Sequence, residues 1–91
     1  IFLEESQGQL IDVRTVDECA LGIIPGAICV PMDEMSDNLV TVVPEYDKVL
    51  VFYCAGGVRS AIAADRARVL GYESTYSLAG GYKSWSASNT H

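Results

Sequence analysis

Histidine is almost absent from this chain: its one copy, His91, is the last residue. A reactive cysteine here has no imidazole partner in the body of the sequence, so any activation must come from backbone amides and arginine. Basic residues are also few, six Lys and Arg against twelve Asp and Glu, for a net charge of −6. The six are scattered. Nucleic acids and anionic membrane surfaces are met by clusters of Lys and Arg, so both are excluded as expected partners. There are three cysteines, Cys19, Cys29 and Cys54, and no C-x-x-C pair. That count and spacing predict neither a disulfide framework nor a zinc site, and a reducing compartment is expected. The apolar runs are too short to cross a bilayer, and no segment has the form of a signal peptide. Internal repeats and low-complexity tracts are absent. The first residue is Ile1 rather than Met, which fits a processed form or a domain of a larger protein.

What is present is the make-up of one globular domain. The 91 residues are 49% apolar and 20% charged, enough for a single core and not for two. Apolar segments alternate in character along the chain. A helix is predicted over Phe2 to Gln9, ending at Gly8, and a short strand over Leu10 to Val13. Thr15 followed by Glu18 forms a capping-box pattern, so a helix is expected from Thr15 to Leu21, stopped by Gly22 and Pro25. Ala27 to Val30 reads as a buried strand, and Pro31 with Asp33 opens a helix reaching Leu39. Val49 to Tyr53, β-branched and aromatic, reads as a strand buried on both faces. Ile62, Ala63, Arg66 and Leu70 then fall near helical spacing, and Gly71 is a natural helix stop. A strand around Ser74 to Tyr76, a Leu78–Tyr82 turn, a helix from Tyr82 to Ser86 and a frayed tail over residues 88–91 complete the reading. Alternating strands and helices predict an α/β fold with a mostly parallel sheet, and ligands at the carboxyl ends of its strands.

The chemistry concentrates where the Val49–Tyr53 strand meets the next helix. The junction reads Cys54-Ala55-Gly56-Gly57-Val58-Arg59-Ser60. Two glycines let the backbone curl and aim successive N–H groups at one point, an anion-binding concavity. The first amides of the helix lack intrahelical partners and carry the positive end of its dipole. A sulfur at the start of such a loop is expected as thiolate, with its pKa below the free value of about 8.5. Arg59 closes the loop with a fixed cation and a planar fork of donors. The plainer alternative, a buried cysteine ending a strand, accounts for Cys54 alone but not for the glycines, arginine and helix start beside it.

This loop resembles the active-site loop of the rhodanese family of sulfurtransferases, roughly C-R-x-G-x-R-S. Leu10-Ile-Asp-Val-Arg14 is similar to the family's L-I-D-V-R strand, Gly22-Ile-Ile-Pro-Gly-Ala27 to its G-H-I-P-G-A turn, and Leu78-Ala-Gly-Gly-Tyr82 with Trp85 to its L-x-G-G-x-x-x-W ending. The four segments occur in the family's order over about residues 2 to 86. Ala55 stands where many members have Arg, and Ile23 where the turn usually has His. The resemblance implies one small three-layer domain over 1–91, with about four mostly parallel strands and helices on both faces. The short N-terminal strand that full members carry is the part expected to be missing.

The resemblance also implies sulfur transfer through a persulfide on Cys54, with Arg59 as the second catalytic residue. Ala55, Gly56, Gly57, Val58, Arg59 and Ser60 would bind the donor, joined by Arg14 if that residue holds an anion instead of bracing the loop with Asp12. The donor would be thiosulfate, a polysulfide or a persulfide; the acceptor a thiol, cyanide or a protein. No metal or organic cofactor is implied. Location is expected to be cytoplasmic, with a processed periplasmic form as the alternative. Cys29 is weighed as a core residue or a resolving thiol, Cys19 as a packing residue, and Gly80, Gly81 and Trp85 as a second anion loop, against Tyr82 and Trp85 as an anchor of the last helix to the core. Two rivals stand beside this reading. One is a rhodanese-like interaction or regulatory module of a larger protein. The other is a cysteine phosphatase or arsenate reductase, whose C-x5-R loop has one residue more than the four between Cys54 and Arg59.

Overall fold

The structure, a computed structural model, describes residues 8–78 and 80–83. The elements in chain order are β1 (Gly8–Asp12), α1 (Val16–Ala20), β2 (Ile28–Cys29), a 3-10 turn (Met32–Glu34), α2 (Met35–Val42), β3 (Val49–Tyr53), α3 (Val58–Leu70) and β4 (Thr75–Ser77). The four strands form one sheet in the order β2-β1-β3-β4, every pair parallel. The expected α/β class and parallel sheet are therefore observed.

The topology fixes where a ligand can sit. From β1 the chain moves to β2 on one side and then to β3 on the other, so the strand order reverses between β1 and β3. Crevices in open α/β sheets form outside the carboxyl ends at such a switch point. Asp12 pairs with Tyr53 there, and Arg14 and Cys54 leave the sheet just beyond them.

The core lies along β1 and β3. Ile11, Leu50, Phe52 and Tyr53 are fully enclosed, and Met35, Leu39 and Val43 close over them from α2 and its end. α3 meets the sheet through Ser60, Ala63, Ala64 and Ala67, at i, i+3, i+4 and i+7. The helix expected from the spacing of Ile62, Ala63, Arg66 and Leu70 is present, with Ala63 buried and Ile62, Arg66 and Leu70 exposed. Small side chains let the helix axis approach the sheet, so alanines carry the contact and the larger apolar residues face outward. Gly71 ends α3 in a left-handed conformation, as its sequence position predicts.

Element boundaries differ in places. Gly8 and Gln9 belong to β1, paired with Val49 and Leu50, and do not end a helix; in-register hydrogen bonding to β3 overrides their local preference. The rest of that predicted helix, residues 2–7, lies outside the described residues. α2 runs three residues past Leu39, to Val42, where Val43 N donates to the Leu39 carbonyl. Residues 81–83 form a helical turn, whereas Trp85, the remainder of the last predicted helix and the 88–91 tail lie outside the described residues.

The cysteines require a second correction. Cys19 on α1 and Cys29 on β2 form a disulfide, with Cα atoms 6.4 Å apart. They are neither separate packing residues nor a reserve of thiol. Ten positions separate them in sequence, and only the return of the chain from α1 to the sheet edge brings them together. Cys54 is the free, buried cysteine. Among the described residues, no helix is long and apolar enough to cross a membrane.

Candidate active site

β3 delivers Cys54 to the switch point with only 2% of its surface exposed. The loop then folds back over the sulfur. Gly57 adopts φ 106°, a conformation that favours glycine, and serves as the N-cap of α3 without a side-chain cap. Its amide donates to Cys54 Sγ at 3.0 Å. The Ser60 hydroxyl lies 3.7 Å from the sulfur. It is also within 3.1 Å of the Gly57 carbonyl and 2.7 Å of the Ser77 hydroxyl. Burial pushes the Cys54 thiol up, but the Ser60 amide and hydroxyl and the Gly57 and Gly56 amides outweigh it, and the net pKa lies below the ordinary value. The physical cause is the one the sequence predicts: donors at a helix start favour the anion.

The reverse side of the loop is held by a part of the chain that sequence reasoning assigned elsewhere. Tyr82 N donates to the Cys54 carbonyl at 2.7 Å and Lys83 N to the Ala55 carbonyl at 3.1 Å. The 80–83 turn thus binds the loop carbonyls and leaves the loop amides turned toward the sulfur. Gly81 is required there: an added Cβ would lie 2.2 Å from the Cys54 carbonyl oxygen. Gly80 and Gly81 lie in the turn that supports the loop; Trp85, one half of the expected Tyr82–Trp85 anchor, lies outside the described residues. The spacing of the two glycines from Cys54 carried no signal of that contact.

Arg59 reaches away from the loop carbonyls. Its two outer nitrogens donate to the two carboxylate oxygens of Glu18, at 2.9 and 3.1 Å. Both side chains are 35% exposed. Glu18, first, and the Cys54 sulfur raise the Arg59 pKa against the opposing effect of burial. Glu18 is the residue that sequence reasoning missed. It was read as the helix-capping partner of Thr15, and that contact is present: Thr15 N donates to Glu18 Oε1 at 3.0 Å, and Glu18 N to Thr15 Oγ1 at 3.2 Å. Its second partner is 41 positions away and has no local signature.

Arg14 is brought to the same end of the sheet but turned inward. It is 5% exposed, donates through Nε and an outer nitrogen to both Asp12 carboxylate oxygens, and gives a further hydrogen bond to the Gly22 carbonyl. Its guanidinium lies 4.2 Å from the Tyr82 ring centroid and 5.9 Å from that of Tyr53. This is the bracing geometry of the two alternatives weighed for Arg14: it ties β1, the Gly22 turn and the 80–83 support together. Ala55 and Gly57 are partly exposed, and Gly56 and Val58 are exposed, so the mouth of the loop is open and carries no charge of its own. A hollow of about 330 Å³ between α2 and α3, lined by Met35, Ile62, Val69 and Leu70 among others, includes none of these residues.

Comparison with known proteins agrees with this geometry. A rhodanese-like domain model matches residues 2–88. A human thiosulfate:glutathione sulfurtransferase is 34% identical over 92% of this chain and 84% of its own length. A mouse thiosulfate sulfurtransferase/rhodanese-like domain-containing protein 3 is 41% identical over 92% of this chain, which spans 61% of that relative. A tRNA uridine(34) hydroxylase of Erwinia tasmaniensis is 32% identical over 88% of this chain, which spans 24% of the enzyme. Among solved structures, a human single-domain sulfurtransferase superposes with a TM-score of 0.83 at 31% identity, covering 93% of this chain and 86% of that one.

Proposed function

This chain belongs to the rhodanese-like domain family, and from that membership and the geometry of its loop we propose that it is a sulfurtransferase working through a persulfide on Cys54. The observation that carries the reading is the Gly57 amide 3.0 Å from Cys54 Sγ at the head of α3. A free sulfur surrounded by donors is built to carry negative charge.

In the first step the Cys54 thiolate attacks the outer sulfur of the donor. The new Cys54 S–S bond forms as the donor's own S–S bond breaks. The leaving group takes the electron pair; it is sulfite when the donor is thiosulfate. In the second step a thiol or cyanide attacks the outer sulfur of the persulfide, and the Cys54 thiolate leaves with the electrons of that bond. The Gly56, Gly57 and Ser60 amides hold the negative charge on sulfur in both resting and charged states. Arg59 supplies the positive field beside it. Ala55, Gly56 and Val58 form the mouth through which donor and acceptor arrive. Arg14 contributes by fixing the loop's support. The Cys19–Cys29 disulfide is of a kind that persists in oxidising compartments, and it supports such a compartment over the cytoplasm.

Thiosulfate:cyanide turnover by the parent and by Cys54→Ser tests this reading. The variant is expected to fold and to lose turnover; retention of parental turnover overturns the covalent route. A second reading, that the domain serves as a module of a longer protein, draws support from the 24% span in the hydroxylase. Against the phosphatase reading stands a loop one residue short of C-x5-R, and turnover of p-nitrophenyl phosphate is expected to be negligible beside sulfur transfer.

A further inference from the structure

Glu18 is held in place from three directions. The Thr15 amide and hydroxyl lie 3.0 and 3.2 Å from Oε1. The next residue, Cys19, is bonded to β2 through Cys29. The carboxylate meets both outer nitrogens of Arg59. α1 has five residues and none of them is buried, so these tethers, not core packing, set where the carboxylate stands.

The consequence concerns charge. Arg59 is the one cation within the 54–60 loop, and its fork is matched by a fork of opposite sign, the strongest arrangement open to an arginine. Arg59 pulls the Glu18 carboxyl, with help from the Thr15 amide, down to about 2, so the carboxylate stays ionised at every working pH. Of the other cations at this end of the sheet, Arg14 is bound to Asp12, and Lys83 stands exposed on the supporting turn, outside the 54–60 loop. Within the loop itself, a dianionic donor approaching Cys54 therefore meets a neutralised pair, on a molecule of net charge −6. It must compete with Glu18 for the fork. A neutral donor has no such competition, because the loop amides recognise the sulfur itself.

We propose that Glu18 is a specificity-determining residue of this site: by occupying the Arg59 fork it disfavours dianionic donors such as thiosulfate relative to hydropersulfides of low charge, and the Cys19–Cys29 disulfide keeps it there. The inference deepens the sulfurtransferase reading and rests on it. With a hydropersulfide, the Cys54 thiolate takes the terminal sulfur of R–S–SH, the donor S–S bond breaks, and the alkyl thiolate leaves with its electrons.

The test compares kcat/KM for thiosulfate with kcat/KM for a small alkyl hydropersulfide, in the parent and in Glu18→Gln. Glutamine at this position preserves the capping box. The ratio of the two constants also cancels any difference in the folded fraction. The thiosulfate-to-hydropersulfide ratio is expected to rise about tenfold in Glu18→Gln, mainly through the thiosulfate KM, and the rise is expected to shrink with added salt. Glu18→Asp, which keeps the charge, is expected to return toward the parental ratio. Cys29→Ser, which opens the disulfide, is expected to move the ratio in the same direction as Glu18→Gln by a smaller factor. An unchanged or lower ratio in Glu18→Gln overturns the assignment; a parental ratio in Cys29→Ser overturns the disulfide's part in it. If the parent takes sulfur from neither donor, the sulfurtransferase reading falls and this inference with it. If the parent charges from either donor and the ratio does not move, only the inference falls.

Discussion

Gly81 lies so close beneath Cys54 that a Cβ added to it would fall 2.2 Å from the Cys54 carbonyl oxygen, closer than real side-chain carbons approach. The Cβ position is fixed by the backbone and the oxygen it meets is a backbone carbonyl, so no side-chain rotation relieves the contact. Gly81→Ala must push the 80–83 turn away from the loop, weakening the Tyr82 and Lys83 hydrogen bonds to the Cys54 and Ala55 carbonyls. The expected cost is about 1–3 kcal/mol of stability, together with slower persulfide formation in the fraction that remains folded. Thermal melting and single-turnover sulfur uptake measure the two effects separately. Parental values in both would show that the support is not needed.

The Ser60 hydroxyl offers a test of how the thiolate is made. Its removal in Ser60→Ala takes away one of the groups that hold the Cys54 pKa down. The acid limb of the pH–rate profile for persulfide formation should therefore move to higher pH, while remaining partly lowered by the Gly56, Gly57 and Ser60 amides. The stability linkage has a definite sign. Folding depresses the Cys54 pKa, so the associated stabilisation is complete above the unfolded value of about 8.5 and is lost as pH falls through the folded value. A limb in Ser60→Ala that coincides with the parent's would assign the activation to backbone alone.

Much of this site was legible from residue order. The apolar Val49–Tyr53 run, the Gly56-Gly57 turn and the alanine-rich stretch after it place a nucleophile between strand and helix by local chemistry alone. Thr15 and Glu18 announced their capping box because both partners lie within one turn. What stayed hidden depends on chain return. The Glu18 carboxylate and the Arg59 fork are 41 positions apart, and nothing near either names the other. Cys19 and Cys29 show no spacing motif because α1 and β2 are joined by a loop whose course the sequence leaves open. The spacing of Ile62, Ala63, Arg66 and Leu70 predicts the helix but does not name its contact face. There the closeness of helix and sheet selects Ala63, Ala64 and Ala67 over Ile62 and Leu70.

Arg59→Lys separates shape from charge. A lysine ammonium keeps the positive field but cannot engage both Glu18 oxygens in parallel. Because the pair is about one-third exposed, the loss in stability should be small, within about 1 kcal/mol. Sulfur-transfer activity is expected to fall several-fold, since the ammonium is no longer fixed in one place beside Cys54. Full activity in the lysine variant would show that the positive field alone is sufficient.

Ala55→Arg restores a cation at the mouth of a loop that has none to spare. Ala55 is partly exposed, so the new side chain has room to meet an incoming anion. The thiosulfate KM is expected to fall by up to about tenfold, equivalent to roughly 1.4 kcal/mol, with less change for a neutral donor and a smaller gain at high salt. An unchanged thiosulfate KM at low salt would mean that electrostatic capture does not limit donor use.

Intact-mass measurement after exposure to a sulfur donor tests the central claim most directly. The parent is expected to gain about 32 Da, one sulfur on one thiolate, and to lose it again on addition of cyanide or a thiol. Cys54→Ser, folded and with Cys19 and Cys29 still joined, is expected to gain nothing. A parent that takes up no sulfur, or a Cys54→Ser variant that takes up as much as the parent, would contradict the account.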